Sequence, residues 1–120
     1  MFKIDSFVLY VTDINKSKNF YADMFECTPN VFSPTFVALD FAENVTITLK
    51  QRQALTPASE VTGGGTELSM PVANKDELEE LYRAWVAKGV CFAQQPEDSV
   101  FGVNFVALDP DNHRIRVFAG

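Results

Sequence analysis

This 120-residue chain holds one histidine, His113, two cysteines, Cys27 and Cys91, and an excess of carboxylates. The thiols stand singly, without the paired spacing that grips a metal ion. His113 follows Asp109-Pro110-Asp111-Asn112, a run of strong turn formers, and reads as a solvated turn residue. No Ser-His-Asp or Cys-His arrangement marks a nucleophile. Gly63-Gly64-Gly65 has the composition of a phosphate cradle, but no helix start and no Lys-Ser/Thr follows, which favours a flexible loop. The net charge of −6 argues against nucleic acid, whose phosphates demand a basic surface. It suits a cationic ligand, or simply solubility.

Size places the chain in the one-domain range, and a hydrophobic fraction of 47% with eleven Phe can fill a core. Met1–Asp5 lacks the apolar core of a signal sequence, and no apolar run is long enough to span a membrane. The expectation is a reduced, cytoplasmic compartment with both cysteines free.

The elements that must position these groups follow from periodicity. Residues 4–11 alternate as a strand. Asp13 can cap a helix whose apolar residues fall at 14, 20, 21, 24 and 25. Short strands follow near 30–33, 36–41 and 45–51. Residues 53–66 are polar and read as a linker. A strand over 67–72 then leads to Asn74-Lys75-Asp76-Glu77, a capping-box-like start to a helix that Gly89 ends. Strands are expected near 90–94, 101–109 and 112–119, with Gln95–Asp98 as a loop.

Both halves therefore read strand, helix, strand, strand, strand. The pentapeptide Phe36-Val37-Ala38-Leu39-Asp40 recurs as Phe105–Asp109, an offset of 69. An offset of 61 superimposes the first strands and helices, placing Ser6 on Glu67 and Asp13 on Asn74. Matching side-chain parity in the last strands requires an offset of 68, which sets Thr48 opposite Arg116.

Two βαβββ modules, with Asp13…Phe20-Tyr21 at the first strand-to-helix junction and Leu108-Asp109-Pro110-Asp111-Asn112 at the last turn, resemble the vicinal-oxygen-chelate superfamily. That group includes glyoxalase I, fosfomycin-resistance enzymes, extradiol dioxygenases and bleomycin-resistance proteins. The resemblance covers nearly the whole chain. It implies an α+β fold of two tandem modules, 4–52 and 67–120, joined by a linker over 53–66 in a single domain, with sheets curved as half-barrels. It also implies a cavity between modules and a homodimer, with the Gly63–Gly65 segment able to let subunits exchange modules.

In metal-dependent members, ligands come from the first and last strands of each module. The corresponding positions here are Ser6, Thr48, Glu67 and Arg116, of which only Glu67 is a good ligand. No metal, cofactor or catalytic residue is therefore expected, and the chain is closest to the metal-free bleomycin-resistance type. Glu67 and Arg116 are expected to form a buried ion pair where the metal would sit. The candidate ligand-binding residues are Ser6, Thr48, Lys50, Glu67, Arg116 and Phe118 on the cavity face, with Phe32, Phe36 and Phe101 as aromatic rim. The partner is a small organic molecule of undecided charge, neither nucleic acid nor membrane. The alternative is a lactoylglutathione-lyase-like or dioxygenase-like enzyme with displaced ligands, and a module without any ligand also remains open.

Overall fold

The structure, a computed structural model, describes residues 1–100 and 102–120. Strand β1 (Ser6–Val11), helix α1 (Ile14–Phe25), and strands β2 (Asn30–Ser33), β3 (Phe36–Leu39) and β4 (Thr46–Gln51) lead into a short 3-10 turn at Arg52–Ala54. Strand β5 (Glu67–Pro71), helix α2 (Lys75–Ala87), and strands β6 (Cys91–Ser99), β7 (Gly102–Leu108) and β8 (Arg114–Ala119) repeat the order. The chain divides into two compact units, Met1–Gly63 and Gly64–Gly120. Each carries one four-stranded mixed sheet and one helix, an α+β arrangement, with strand orders β1-β4-β3-β2 and β5-β8-β7-β6. The first and last strands of each unit pair in parallel and the other neighbours antiparallel.

Local chemistry starts both helices. Asp13 accepts from the Lys16 amide at 3.1 Å, and Asn74 accepts from the Glu77 amide at 2.9 Å. The Glu77 carboxylate reaches back to the Ala73 amide at 2.8 Å, one residue before the position a standard capping box would serve. Each helix lays its apolar stripe on one face of its own sheet. In the first unit Leu9, Val11, Tyr21, Val37, Leu39, Ile47 and Leu49 are buried there. In the second, Phe105 is fully buried, with the rings of Tyr82, Trp85 and Phe92 within 5.8 Å of its centroid.

One α1 residue does not fit this packing. Ser17 is fully buried and its hydroxyl has no hydrogen-bond partner among the described residues. The position 61 residues on is Leu78, an apolar residue equally buried. Ser17→Ala removes an unsatisfied hydroxyl and improves helix propensity, so it should stabilise the protein by about 1 kcal/mol, read as a higher urea midpoint at unchanged m.

Strand pairing supplies the register that the repeat leaves ambiguous. Ser6 pairs with Thr46 and Glu67 with Arg114, so the last strands correspond at an offset of 68 when the first correspond at 61. The third strands also correspond at 68, because Phe36 pairs with Lys50 while Asn104 pairs with Phe118. The identical pentapeptides are therefore out of structural register by one residue. Phe105 packs in the core beneath α2, whereas Phe36 lies on the opposite, helix-free face of its sheet and corresponds to Asn104. A slip of one residue exchanges the faces of a strand.

The second unit's extra residues lengthen one hairpin. Gln95–Asp98, expected as a loop, belongs to β6, which is nine residues long against four in β2. Pro96 is tolerated there because the pairing is irregular between Gln94 and Glu97, and β6 is an edge strand.

The last turn closes with the Asn112 amide donating to the Asp109 carbonyl at 3.0 Å and Asn112 in the left-handed region at φ 67°. His113 is not solvated as expected. It is 4% exposed, and its Nδ1 lies 2.8 Å from Asp109 Oδ2.

Candidate functional site

The helix-free face of the second sheet carries a chain of polar contacts. On a strand every second side chain shares a face, so Arg114, Arg116 and Phe118 of β8 line up with Glu67 and Ser69 of β5. Arg116 leans diagonally to Glu67, its Nε donating to Oε1 at 2.9 Å and its Nη2 reaching Oε2 at 3.5 Å. Its Nη1 donates to Asn104 Oδ1 at 2.6 Å. Gln94 on β6 donates its Nε2 to the same Oδ1 at 2.9 Å and to the Asn104 carbonyl at 3.1 Å. Asn104 Nδ2 reaches Ser99 Oγ at 3.4 Å, which in turn donates to the Gly102 carbonyl at 3.0 Å. Asn104 is buried while Glu67 and Arg116 keep about a third of their side-chain surface in water.

Above this network lies a cavity of about 560 Å³ bounded by Ser69, Gln94, Glu97, Asn104, Arg116 and Phe118, with Asp98, Ser99 and Gly102 at the hairpin end. The volume lies within the range of roughly 300–1,000 Å³ that small-molecule sites occupy. Most of its wall comes from the lengthened β6–β7 hairpin.

The first unit's helix-free face is different. Ser6 is half-buried beside Thr46. Thr48 is 4% exposed, with its hydroxyl 3.5 Å from the Phe7 carbonyl that it faces. Lys50 is exposed and sets its Nζ 5.5 Å from the centroid of Phe36. Phe36 stacks on Phe32 at 5.3 Å, and Phe32 is 60% exposed. Lys50, Phe36 and Phe32 thus form one cluster, and Glu67, Arg116 and Phe118 belong to another on the second unit. Phe101 lies outside the described residues.

Gln94, Glu97, Asp98 and Asn104 escaped the sequence reading. Asn104 carried a signal, being the one polar residue in the run Val103–Leu108. Gln94, Glu97 and Asp98 were hidden because their strand contains a proline.

The metal ion used by related enzymes does not fit these residues. Glu67 is engaged by a guanidinium, which is a permanent cation and cannot ligate. Thr48 offers a buried neutral hydroxyl turned to a carbonyl. Among the described residues no three of His, Cys, Asp and Glu gather as a ligand set. Both cysteines are free, and burial pushes the Cys27 thiol up, away from nucleophilic use.

The Glu67–Arg116 pair forms as expected, but it is half-exposed instead of buried, because Glu67 begins the edge strand β5. Solvent screening limits its worth. A double-mutant cycle of Glu67→Gln and Arg116→Met, followed by urea unfolding, should give a coupling energy of at most about 1 kcal/mol that shrinks with added salt.

A sequence model described as the Glyoxalase/Bleomycin resistance protein/Dioxygenase superfamily matches residues 3–117. The phenazine antibiotic resistance protein EhpR of Enterobacter agglomerans is 24% identical over 113 residues, covering 92% of this chain and 86% of that protein. A protein of Agrobacterium tumefaciens solved by NMR in solution superimposes with a TM-score of 0.88 at 39% identity, over 99% of this chain and 98% of its own. A lactoylglutathione lyase of the same organism superimposes at 0.75 with 17% identity, over 98% and 93%, a likeness of fold alone.

Proposed function

Because this chain belongs to the Glyoxalase/Bleomycin resistance protein/Dioxygenase superfamily, we propose that it is a metal-free binding protein that sequesters a drug-like organic molecule in the cavity of its second unit. The observation that carries this reading is the guanidinium of Arg116 held on Glu67. In that position it repels a divalent ion and uses up the one good ligand among the corresponding positions. Without an electrophile at that point, the activation of a bound carbonyl or of dioxygen has no source among these side chains. What remains is a cavity of ligand size whose described wall carries the ring of Phe118 and several polar groups. The antibiotic-resistance relative supports a planar aromatic ligand. The homodimer implied by the fold family is part of the proposal, and sedimentation at twice the 13.4 kDa chain mass is the expected result.

Two measurements on protein purified without chelator test the function. Metal analysis should find far less than one transition-metal ion per chain. A thermal-shift screen of phenazines and related aromatics should find ligands. One present at a hundred times its Kd should add about 2.7 kcal/mol, a rise of roughly 10 °C in Tm for a chain of this size. Stoichiometric nickel, zinc, iron or manganese together with lyase or dioxygenase turnover would reverse the assignment.

A further inference from the structure

We propose that the cavity of the second unit selects ligands that carry a positive charge and hydrogen-bond donors, received by Gln94 and Glu97. This rests on the binding function above and names the class of ligand. A guanidinium can only donate. The Asn104 atom 2.6 Å from Arg116 Nη1 is therefore its amide oxygen. One terminal atom of Gln94 meets that oxygen at 2.9 Å and the Asn104 carbonyl at 3.1 Å. Both are acceptors, so this atom is the Gln94 nitrogen, and both of its N–H groups are used. Arg116 thus dictates, through Asn104, which way the Gln94 amide points. The oxygen Oε1 is what Gln94 has left for a ligand, and it has no partner among the described residues.

The charges around it agree. Glu97, paired across the β6–β7 hairpin with Asn104, is an exposed carboxylate on the cavity face, and its side chain has no hydrogen bond or ion pair among the described residues. Asp98 pairs with the buried Val103 and belongs to the alternate face of the strand. Arg116 is the one cation among the described residues of the wall, and Glu67 compensates it. Arg114, on the same face of β8, is exposed and lies outside the cavity wall. An anionic ligand would face the uncompensated carboxylate of Glu97 and an amide oxygen, and would have to compete with Glu67 for Arg116. An organic cation meets the Gln94 oxygen, the Glu97 carboxylate and the ring of Phe118.

The test uses three tricyclic probes of one shape in calorimetric titrations at pH 8: proflavine, a cation; acridine, neutral; and acridine-9-carboxylate, an anion. Proflavine should bind at least about tenfold tighter than either of the others at low salt, and its advantage should fall as NaCl is raised. The variant Glu97→Gln should lose about tenfold in proflavine affinity and leave acridine unchanged. Equal or tighter binding of acridine or its carboxylate to the unaltered protein overturns the inference and leaves the binding function standing. So does a Glu97→Gln variant that keeps its proflavine affinity. Failure of all three probes to bind overturns both. The probe and salt series on the unaltered protein decides the question even where the variant folds poorly.

Discussion

Gly102→Ala is expected to destabilise the protein by about 3 kcal/mol, read as a fall of roughly 10 °C in Tm. Two independent costs combine. Gly102 begins β7 with φ at +108°, a region that side-chain-bearing L residues rarely adopt. A Cβ there would also overlap the Ala119 carbonyl oxygen, and the adjoining Val103–Ala119 pair joins two neighbouring strands. That oxygen is main chain and cannot rotate away, so the strands must part. Gly89→Ala is the control, since Gly89 has φ +82° but nothing within 4 Å of an added Cβ. It should show the conformational cost alone, about 1 kcal/mol. Equal effects at the two positions would mean that the close approach at Ala119 does not matter. Gly102 also bounds the cavity and accepts from Ser99, so the substitution should weaken ligand binding along with stability.

Asp109→Ala should cost a similar amount, about 3 kcal/mol or slightly more. The carboxylate is buried and organises the β7–β8 turn. Oδ1 accepts from the Asp111 amide at 2.8 Å and from the His113 amide at 2.9 Å, while Oδ2 meets His113 Nδ1 at 2.8 Å. Removing it strands three polar groups, two of them belonging to a histidine with 4% exposure. Asp109→Asn keeps the shape and one acceptor oxygen, and the imidazole can change tautomer to accept from the new amide. It should therefore lose less than half as much. Comparing the two variants by urea unfolding separates the hydrogen-bond array from the packing volume. If Asp109→Ala unfolds with the wild-type midpoint, the turn does not depend on its carboxylate.

The proposed site depends on these two devices, because β7 and β8 supply Asn104, Arg116 and Phe118. Their relative height sets whether Arg116 reaches both Glu67 and Asn104.

The chain order of strands and helices was legible from the residues because its causes are local. Asp13 and Asn74 cap helices wherever their next three amides can turn inward, and alternation marks a strand whatever lies beside it. The correspondence of Thr48 with Arg116 was also legible, since parity is a property of the strand itself. What a strand's faces meet is not local. The pentapeptide shared by Phe36 and Phe105 points its aromatic into a core in one copy and away from its helix in the other, because pairing partners set the register. His113 is buried because the turn folds onto Asp109. The orientation of Gln94 depends on Asn104, and that of Asn104 on Arg116, three residues from three strands. Sequence alone determined the order of strands and helices, the helix caps and the residue types at the corresponding positions Ser6, Thr48, Glu67 and Arg116. Tertiary structure decided which acceptors face the cavity, because a hydrogen bond between strands exists only once their pairing has placed donor and acceptor side by side.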